Sequence, residues 1–213
     1  MSFYPAQPVR VVIPADITPI RTERLILRLS QKSDALALFG YRCRQEVANF
    51  LNIDYRWPKV PHKEIKETED YLAGKAFRDP EASGATGRRF HFVCIRADDP
   101  EQKVIGTVGI NSLLPSPSVG VGINPDFWGM GYASEAVGGL VEAWSNLERM
   151  VPPGTTTTGA GAVGEKLFAA CMKENVGSMK VLLKNGFRVY DEVEAEGDTV
   201  ALFDMDMPRQ SNI

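Results

Sequence analysis

The stretch INPDFWGMGYASEAV, residues 123–137, carries the strongest structural signal in the chain. A β-rich run ends at Ile123, glycines follow at positions 129 and 131, and a helical pattern begins at Tyr132. Glycine permits positive φ and close approach of a ligand, and the free N–H groups of a first helical turn attract anions. The sequence therefore predicts a strand-to-helix turn that suits a pyrophosphate.

Two other phosphate-binding motifs do not fit this turn. A Walker loop requires a Gly-Lys-Ser/Thr ending, which is missing, and a dinucleotide-binding turn requires a third glycine where Ser134 stands. Two glycines between a strand and a helix also occur without any ligand. The turn alone therefore leaves both readings open, and the rest of the chain has to decide.

Upstream of the turn lie three β-rich runs separated by turn residues. They are RFHFVCIRA (89–97), KVIGTVGIN (103–111) and SVGVGIN (118–124). Short connections of this kind predict an antiparallel meander that leads into the turn.

Downstream of the turn the periodicity predicts a helix over 132–147. Gly138 and Gly139 each cost ~1 kcal/mol relative to alanine inside a helix, so the pair indicates close packing against a strand or a weak point. A strand at 166–172, a helix at 175–187 closed by Gly186, and a C-terminal hairpin complete this half.

The N-terminal half predicts one strand followed by helices. The run RLILRL (24–29) is typical of a strand, Ser33 or Asp34 can cap the next helix, and a further helix covers 45–51. Pro61 is placed to start a third helix that runs to about Phe77.

The domain organisation follows from these elements. Residues 1–20 form a proline-bearing extension that contributes an edge strand, 21–207 form one domain, and 208–213 form a tail. The low-complexity stretch 151–164 predicts a surface loop inside the domain.

Composition excludes several functional classes. The chain has 213 residues, 44% of them hydrophobic, and a net charge of −3, so nucleic acid is a poor partner. No apolar run reaches the ~18–20 residues that span a membrane, and we expect a cytoplasmic protein. Three widely spaced cysteines, without a Cys/His cluster, predict neither a disulfide framework nor a metal site.

Three stretches together resemble a known family. The string PDFWGMGYASEAV is similar to the acyl-CoA-binding motif of GNAT N-acetyltransferases, in the branch that contains ribosomal-protein alanine acetyltransferases. The string KENVGSMKVLLKNGF (173–187) resembles a second motif of that branch, and TERLILR (22–28) resembles its first strand. The matches extend from residue 22 to about residue 190 in the family's order.

The resemblance implies the GNAT fold, of α/β class and α+β type. It consists of a mostly antiparallel sheet of about seven strands, flanked by helices and splayed between the strands at 118–124 and 166–172. Acetyl-CoA is the implied co-substrate. The implied contacts are the pyrophosphate turn of Trp128, Gly129, Met130, Gly131, Tyr132, Ala133 and Ser134, the pantetheine strand of Val121, Gly122 and Ile123, and Asn175 and Ser178 on the CoA arm.

Two of these neighbourhoods admit plain structural roles. Asn175 can be the N-cap of its helix, with Ser178 at the third position, as readily as a CoA contact. Glu135 is better explained as a stabilising charge in the first turn of its helix.

The catalytic residues are the least defined part of the prediction. The strand 118–124 lacks the glutamate that the branch often carries there, and Leu182 stands where some relatives have an acid-catalyst tyrosine. His91 and Glu69 are the candidate bases. A lone histidine in a strand is more often packed or exposed than catalytic, Glu69 is more often part of a solvated helix face, and a water relayed from a backbone carbonyl could serve instead. We assign His62 to solvent.

The leading hypothesis is an acetyl-CoA-dependent N-acetyltransferase that modifies a protein N-terminus or a small amine. The missing acid on strand 118–124 keeps a catalytically silent acyl-CoA-binding module as the alternative, and a purely structural domain as a third. The partners are then acetyl-CoA and an amine acceptor. The sequence does not distinguish a monomer from a homodimer.

Overall fold

The structure of the protein is a computed structural model, and it describes residues 3–7, 11–51, 60–78, 85–149, 164–195 and 197–207. The predicted tail 208–213 lies outside the described residues, as does the loop 151–164 except for Gly164.

Eight strands of the described chain form one sheet in the order β1-β2-β3-β4-β5-β6-β8-β7. The strands are β1 (Ile20–Arg21), β2 (Leu25–Leu29), β3 (His91–Arg96), β4 (Val104–Ser112), β5 (Ser118–Ile123), β6 (Lys166–Met172), β7 (Arg188–Ala195) and β8 (Asp198–Asp206). Every pairing is antiparallel except that of β5 with β6. The mostly antiparallel α/β architecture and the meander are confirmed, with one short strand more than the seven expected.

Five α-helices flank the sheet within the described ranges. They are α1 (Ala35–Arg42), α2 (Gln45–Leu51), α3 (Ile65–Ala73), α4 (Tyr132–Ser145) and α5 (Val176–Lys184). The predicted C-terminal glycine of the last helix is confirmed, because Gly186 has φ +86° just beyond the end of α5.

The start of α3 differs from the prediction at Pro61. The helix begins at Ile65, with Glu64 as an extended N-cap residue at φ −144°. The backbone N–H of His62 donates to the carbonyl of Arg42, which fixes this segment against α1 instead of letting it coil. A tertiary hydrogen bond thus outweighs the preference of proline for the first helical turn.

The sheet separates two apolar clusters. The larger cluster lies under α4 and α5 and includes Trp144, Phe90 and Phe203, all buried. The smaller one lies under α1 and includes Leu38 and Leu72. The sheet therefore has one helical layer on each face.

The N-terminal extension packs on the domain through buried apolar residues. Val11 and Ile13 are buried, and Val11 forms an isolated antiparallel bridge to Arg149. The described part of the run VRVVIP, residues 11–14, adds no strand to the sheet, and the extension reaches the sheet only at Ile20, the first residue of β1. Arg149 and the flanking chain already occupy its hydrogen-bonding side, and the sheet edge is formed by β1 instead.

The pair β5 and β6 forms a splayed seam in the sheet. These two strands are parallel and share a single registered pair, Ser118 with Phe168. The N–H of Phe168 also donates to the carbonyl of Pro117 at 3.0 Å. Beyond this point the strands separate, so the splay predicted between 118–124 and 166–172 is confirmed.

Candidate functional site

The turn between β5 and α4 has the backbone that its glycines predicted. Gly129 has φ +76° and Gly131 has φ +82°, values that favour glycine over any residue with a Cβ. The first helical hydrogen bond runs from Glu135 N–H to Gly131 O at 3.1 Å. The amides of the residues before Glu135 therefore have no carbonyl partner in α4, and they lie at the positive end of its dipole.

Two local contacts shape the entrance to this turn. Asn124 accepts a hydrogen bond from Asp126 N–H at 3.2 Å and caps the short 3-10 helix Pro125–Phe127. The indole Nε1 of Trp128 donates to the carbonyl of Ile123 at 2.6 Å. The turn is thus held by its own side chains, while Gly129 and Met130 stay exposed.

A salt bridge fastens the far side of the turn to the start of β2. Arg24 donates from Nη1 to the carbonyl of Met130 at 3.0 Å and from Nε to Glu135 Oε2 at 2.7 Å. Glu135 Oε1 accepts from Thr22 Oγ1 and from Arg24 N–H, both at 2.6 Å. Burial raises the pKa of Glu135, but these hydrogen bonds outweigh it and hold the pKa below its ordinary value.

This salt bridge enlarges the role predicted for Glu135. Its place in the first turn of α4 is confirmed, and it also joins that turn to the chain before β2. Arg24 was assigned only to a strand from the sequence. The signal that could have found it is the motif TERLILR, in which an exposed arginine stands beside an apolar run.

The edge of β5 that faces the seam carries backbone groups that do not pair with β4. The N–H of Asn124 donates to Ile105 O at 2.8 Å, so in this antiparallel ladder the even residues pair with β4. The backbone groups of Val121 and Ile123 therefore point toward β6, as does the carbonyl of Pro117. Gly122, predicted at the same place, directs its backbone groups at β4 instead.

The structural role of Asn175 is confirmed. It is the N-cap of α5, and its Oδ1 accepts from Ser178 N–H at 3.0 Å. Asn185 at the end of α5 donates to the hydroxyl of Ser134 at 3.2 Å, which joins α5 to the first turn of α4. A contact of Asn175 or Ser178 with CoA stays a prediction.

His91 lies on the opposite face of the sheet, under α3. It is 2% exposed, and its Nδ1 lies 3.0 Å from Ser30 Oγ while its Nε2 lies 3.2 Å from the Tyr71 hydroxyl. Burial and the positive charges of Lys75 and Arg42 lower the pKa of His91 well below its ordinary value. The imidazole is therefore neutral near pH 7.

Tyr71 stands between two cations. The guanidinium carbon of Arg42 lies 3.7 Å from the ring centroid, and Lys75 Nζ lies 4.4 Å from it. Burial raises the pKa of Tyr71, but the charges of Lys75 and Arg42, together with side-chain hydrogen bonds, lower it below its ordinary value. The sequence indicated Tyr71 only as an apolar position of a helix, because its neighbours come from distant parts of the chain.

The other two predicted residues near α3 have defined partners. Glu69 forms an ion pair with Lys32 at 3.2 Å. His62 was assigned to solvent, and this is wrong: it is half-buried, with Nδ1 2.7 Å from Thr68 Oγ1 and Nε2 3.5 Å from Arg42. Burial, with the charge of Arg42, lowers the pKa of His62 to about 4.

The described ranges offer no metal site and no membrane-spanning helix. No group of three or more His, Cys, Asp or Glu residues there could hold a metal ion. Cys94 and Cys171 are buried, and burial raises the pKa of the Cys171 thiol to about 11, whereas Cys43 is exposed. No helix in those ranges is long and apolar enough to cross a membrane.

The described chain thus combines a glycine turn at the N-terminus of α4 with a splayed parallel pair of strands, and similarity to known proteins gives its family. A family model described as an acetyltransferase (GNAT) domain matches residues 24–188. The chain therefore belongs to the GNAT family of acetyltransferases, and it is an N-acetyltransferase by class.

The individual relatives and solved structures share only low sequence identity with this chain. An uncharacterized N-acetyltransferase, p20, of Bacillus licheniformis is 30% identical over 124 residues, which are 57% of this chain and 62% of that protein. The uncharacterized N-acetyltransferase YoaA of Bacillus subtilis is 26% identical over 172 residues, 79% of this chain and 82% of that protein. The structure of RimL, a ribosomal L7/L12 α-N-protein acetyltransferase in complex with coenzyme A, has a TM-score of 0.63 at 16% identity and covers 89% of this chain and 98% of that one. This likeness shows a shared fold.

Proposed function

We propose that this protein transfers an acetyl group from acetyl-CoA directly to a primary amine. The observation that carries the proposal is the glycine turn, whose positive φ angles leave the amides ahead of Glu135 free at the N-terminus of α4. These amides, from Gly129 to Ser134, would bind the pyrophosphate of CoA, whereas the N–H of Trp128 already donates to the carbonyl of Pro125 at 3.0 Å.

The seam supplies the second half of the proposed CoA site. Pantetheine carries amide groups, and the backbone of Val121 and Ile123 faces the gap between β5 and β6 with hydrogen-bonding groups. The carbonyl of Ile123 already accepts from Trp128, so Val121 offers the fuller set. Asn175 and Ser178 at the start of α5 are the proposed contacts from the other side.

The acceptor that fits this site best is a free α-amine. With a pKa of ~8, about a tenth of an α-amine is neutral at pH 7, whereas less than about one part in a thousand of a lysine side chain is. A protein N-terminus or a small amine thus makes the smaller demand on a base. The RimL structure described above belongs to an α-N-protein acetyltransferase, which supports the same choice.

His91 and Glu69 remain the proposed groups on the acceptor side. His91 is neutral and hydrogen-bonded to Tyr71, so it can support a proton transfer there. Glu69 is engaged by Lys32 and would have to leave that ion pair to act as a base. A catalytically silent CoA-binding module is the alternative, because β5 carries no acidic residue.

Calorimetric titration with CoA tests the binding part of the proposal. Gly129→Ala places a Cβ in open space but forces an L-residue into positive φ, which costs about 1–2 kcal/mol. We expect the affinity for CoA to fall about tenfold or more. Gly197→Ala is the matched control, since Gly197 also has positive φ and open space but lies in the β7–β8 turn. Equal CoA affinity in the wild type and Gly129→Ala would overturn the site.

A transfer assay tests the chemistry. The wild-type protein is incubated with acetyl-CoA and a panel of amines that contains peptides with free N-termini, peptides with lysine as the sole amine, and small amines. We expect acetylation of α-amines above lysine. Binding of CoA without acetylation of any acceptor would favour the silent module.

A further inference from the structure

A row of polar side chains crosses the α3 face of the sheet at one level. His91 on β3 lies directly opposite Gly109 on β4, and Gly109 lies opposite Gly120 on β5. Directly opposite residues share a face of the sheet. Since neighbouring strands are ~4.8 Å apart, Gly120 on the seam strand lies about 10 Å from His91.

The floor between His91 and the seam strand is free of large side chains. A Cβ on Gly109 would lie 2.6 Å from the Cα of His91, and a Cβ on Gly120 would lie 2.1 Å from Asn111 Nδ2. Asn111 therefore lies over Gly120, and its Oδ1 accepts from Lys75 Nζ at 2.7 Å. The polar row thus runs from His91 and Tyr71 through Lys75 and Asn111 to the seam strand.

The charged side chains of this row are positive. Among the described residues neither Arg42 nor Lys75 has a carboxylate within ion-pair distance, and the nearby acids on α3 are paired elsewhere, Glu69 with Lys32 and Asp70 with Lys66. Arg42 is 7% exposed, and its Nε has no hydrogen-bond partner there. Two positive charges therefore act on the Tyr71 ring without an opposing negative charge.

Two cations and two histidines pack around Tyr71. Arg42 faces it from α1, Lys75 from just beyond the end of α3, His91 from β3 and His62 from the segment before α3. Burial raises the pKa of Tyr71, but Lys75 and Arg42 bring it below its ordinary value. Burial lowers the pKa of both histidines, together with Lys75 and Arg42 at His91 and with Arg42 at His62, so both stay neutral. The same field thus stabilises a phenolate and disfavours an imidazolium.

We propose that Tyr71 is the base that takes the proton from the acceptor amine, with His91 and Lys75 as positioning residues. Ser30 donates to His91 Nδ1 in this arrangement, so His91 donates from Nε2 to the phenolate oxygen of Tyr71. The inference rests on the proposed acetyl transfer and identifies its base.

The proposed step transfers one acetyl group and one proton. The amine nitrogen attacks the thioester carbonyl, a C–N bond forms, and the C–S bond breaks with its electron pair leaving on sulfur as the CoA thiolate. The proton lost by the amine goes to the Tyr71 oxygen. It then passes through solvent to the thiolate, which restores the phenolate.

A spectroscopic titration tests the phenolate without requiring turnover. The ultraviolet absorbance of tyrosinate is followed against pH for the wild type, Tyr71→Phe and Tyr190→Phe. Among the six tyrosines, we expect one to ionise below the ordinary ~10, to be lost in Tyr71→Phe, and to persist in Tyr190→Phe. Lys75→Met should move that ionisation to higher pH. Identical titrations of the wild type and Tyr71→Phe below pH 10 would overturn the phenolate.

Kinetics test the role of that phenolate. We expect Tyr71→Phe to lower kcat by about 10²–10⁴, with unchanged affinity for CoA. The substitution should leave the rise of kcat/KM that is set by the pKa of the amine and abolish the additional rise that the ionisation of Tyr71 produces. Lys75→Met should shift this rise to higher pH. A Tyr71→Phe protein with the wild-type kcat and pH profile would overturn the base alone, whereas a wild type that acetylates no amine would overturn the base and the proposed function together.

Discussion

Glu135 shows how one side chain can stabilise both the fold and the candidate site. Its side chain is 15% exposed, and its carboxylate accepts from Thr22, from the backbone of Arg24 and from the Arg24 guanidinium. Hydrogen bonds to a charged group contribute about 1.5–3 kcal/mol each. The same Arg24 holds the carbonyl of Met130, so the charge of Glu135 orders the glycine turn indirectly.

Glu135→Gln should lower the free energy of unfolding by about 2 kcal/mol at neutral pH, because the amide loses the charge that faces Arg24. The folded-state pKa of Glu135 is depressed, so this contribution is present above the ordinary pKa of 4.5 and is lost as pH falls through the folded-state pKa. Denaturant unfolding at several pH values measures the difference.

The matched control for this prediction is Glu101→Gln, which removes an exposed ion pair with Lys103 and should change stability by less than about 1 kcal/mol. A deficit of Glu135→Gln that stayed constant into strong acid would contradict the assigned role of the carboxylate charge.

At the level of elements, α4 is positioned by a close approach to β2 and to the residue that follows β1. A Cβ on Gly139 would lie 2.8 Å from Thr22 Cγ2 and 3.4 Å from Leu27 Cδ1, so the helix approaches the strands through the bare face of this residue. The sequence left two interpretations of the pair Gly138 and Gly139 open, a weak point in the helix or a site of close packing. The structure shows close packing at Gly139.

Gly139→Ala should destabilise the protein by about 1–3 kcal/mol, because overpacking exceeds the gain in helix propensity of ~1 kcal/mol. Gly40→Ala in α1 is the matched control: a Cβ there meets nothing within 4 Å, so we expect stabilisation of up to about 1 kcal/mol. Thermal or denaturant unfolding decides, and stabilisation by both substitutions would contradict the close approach.

Elements with a clear local signal could be predicted from the sequence, whereas those set by distant contacts could not. The run KLFAACM gives β6 with the bounds expected, and the paired glycines of the turn define positive φ on their own. The start of α3 depends on a hydrogen bond to Arg42, which the local pattern at Pro61 does not contain.

The candidate site divides in the same way. The proposed CoA-binding turn is one continuous stretch of chain, so its residue types and spacing expose it. The cluster around Tyr71 is assembled from α1, α3, β3 and β4, and its electrostatics exist only after folding. His62 shows the difference, since nothing near it in sequence indicates the guanidinium of Arg42.

For the whole molecule, both histidines set a dependence of stability on pH. The chain has two histidines, and burial lowers the folded-state pKa of His62 to about 4 and that of His91 well below its ordinary value. The unfolded chain therefore binds protons first as pH falls. Stability from neutral histidines is complete above about 6.5 and decreases as pH falls below it.

We expect the free energy of unfolding to decrease between about pH 6.5 and pH 4, by at most ~1.4 kcal/mol per pH unit for each histidine. The share of His62 is smaller, because half of its ring faces solvent. His62→Gln should reduce the slope and His91→Gln should reduce it further. Stability that is level across this range in the wild type would contradict neutral histidines in the folded state.

Because Ser118 and Phe168 are the single registered pair between β5 and β6, the sheet consists of a five-strand part and a three-strand part joined at one point. A force that pulls the two parts apart is resisted by one registered backbone pair instead of a full ladder, and by the apolar core that both parts share. An acyl-CoA thioester bound between the two parts would contact both of them and hold them together. We therefore expect two separately produced fragments, one ending before residue 150 and one starting after residue 163, to reassemble much better when that thioester is present.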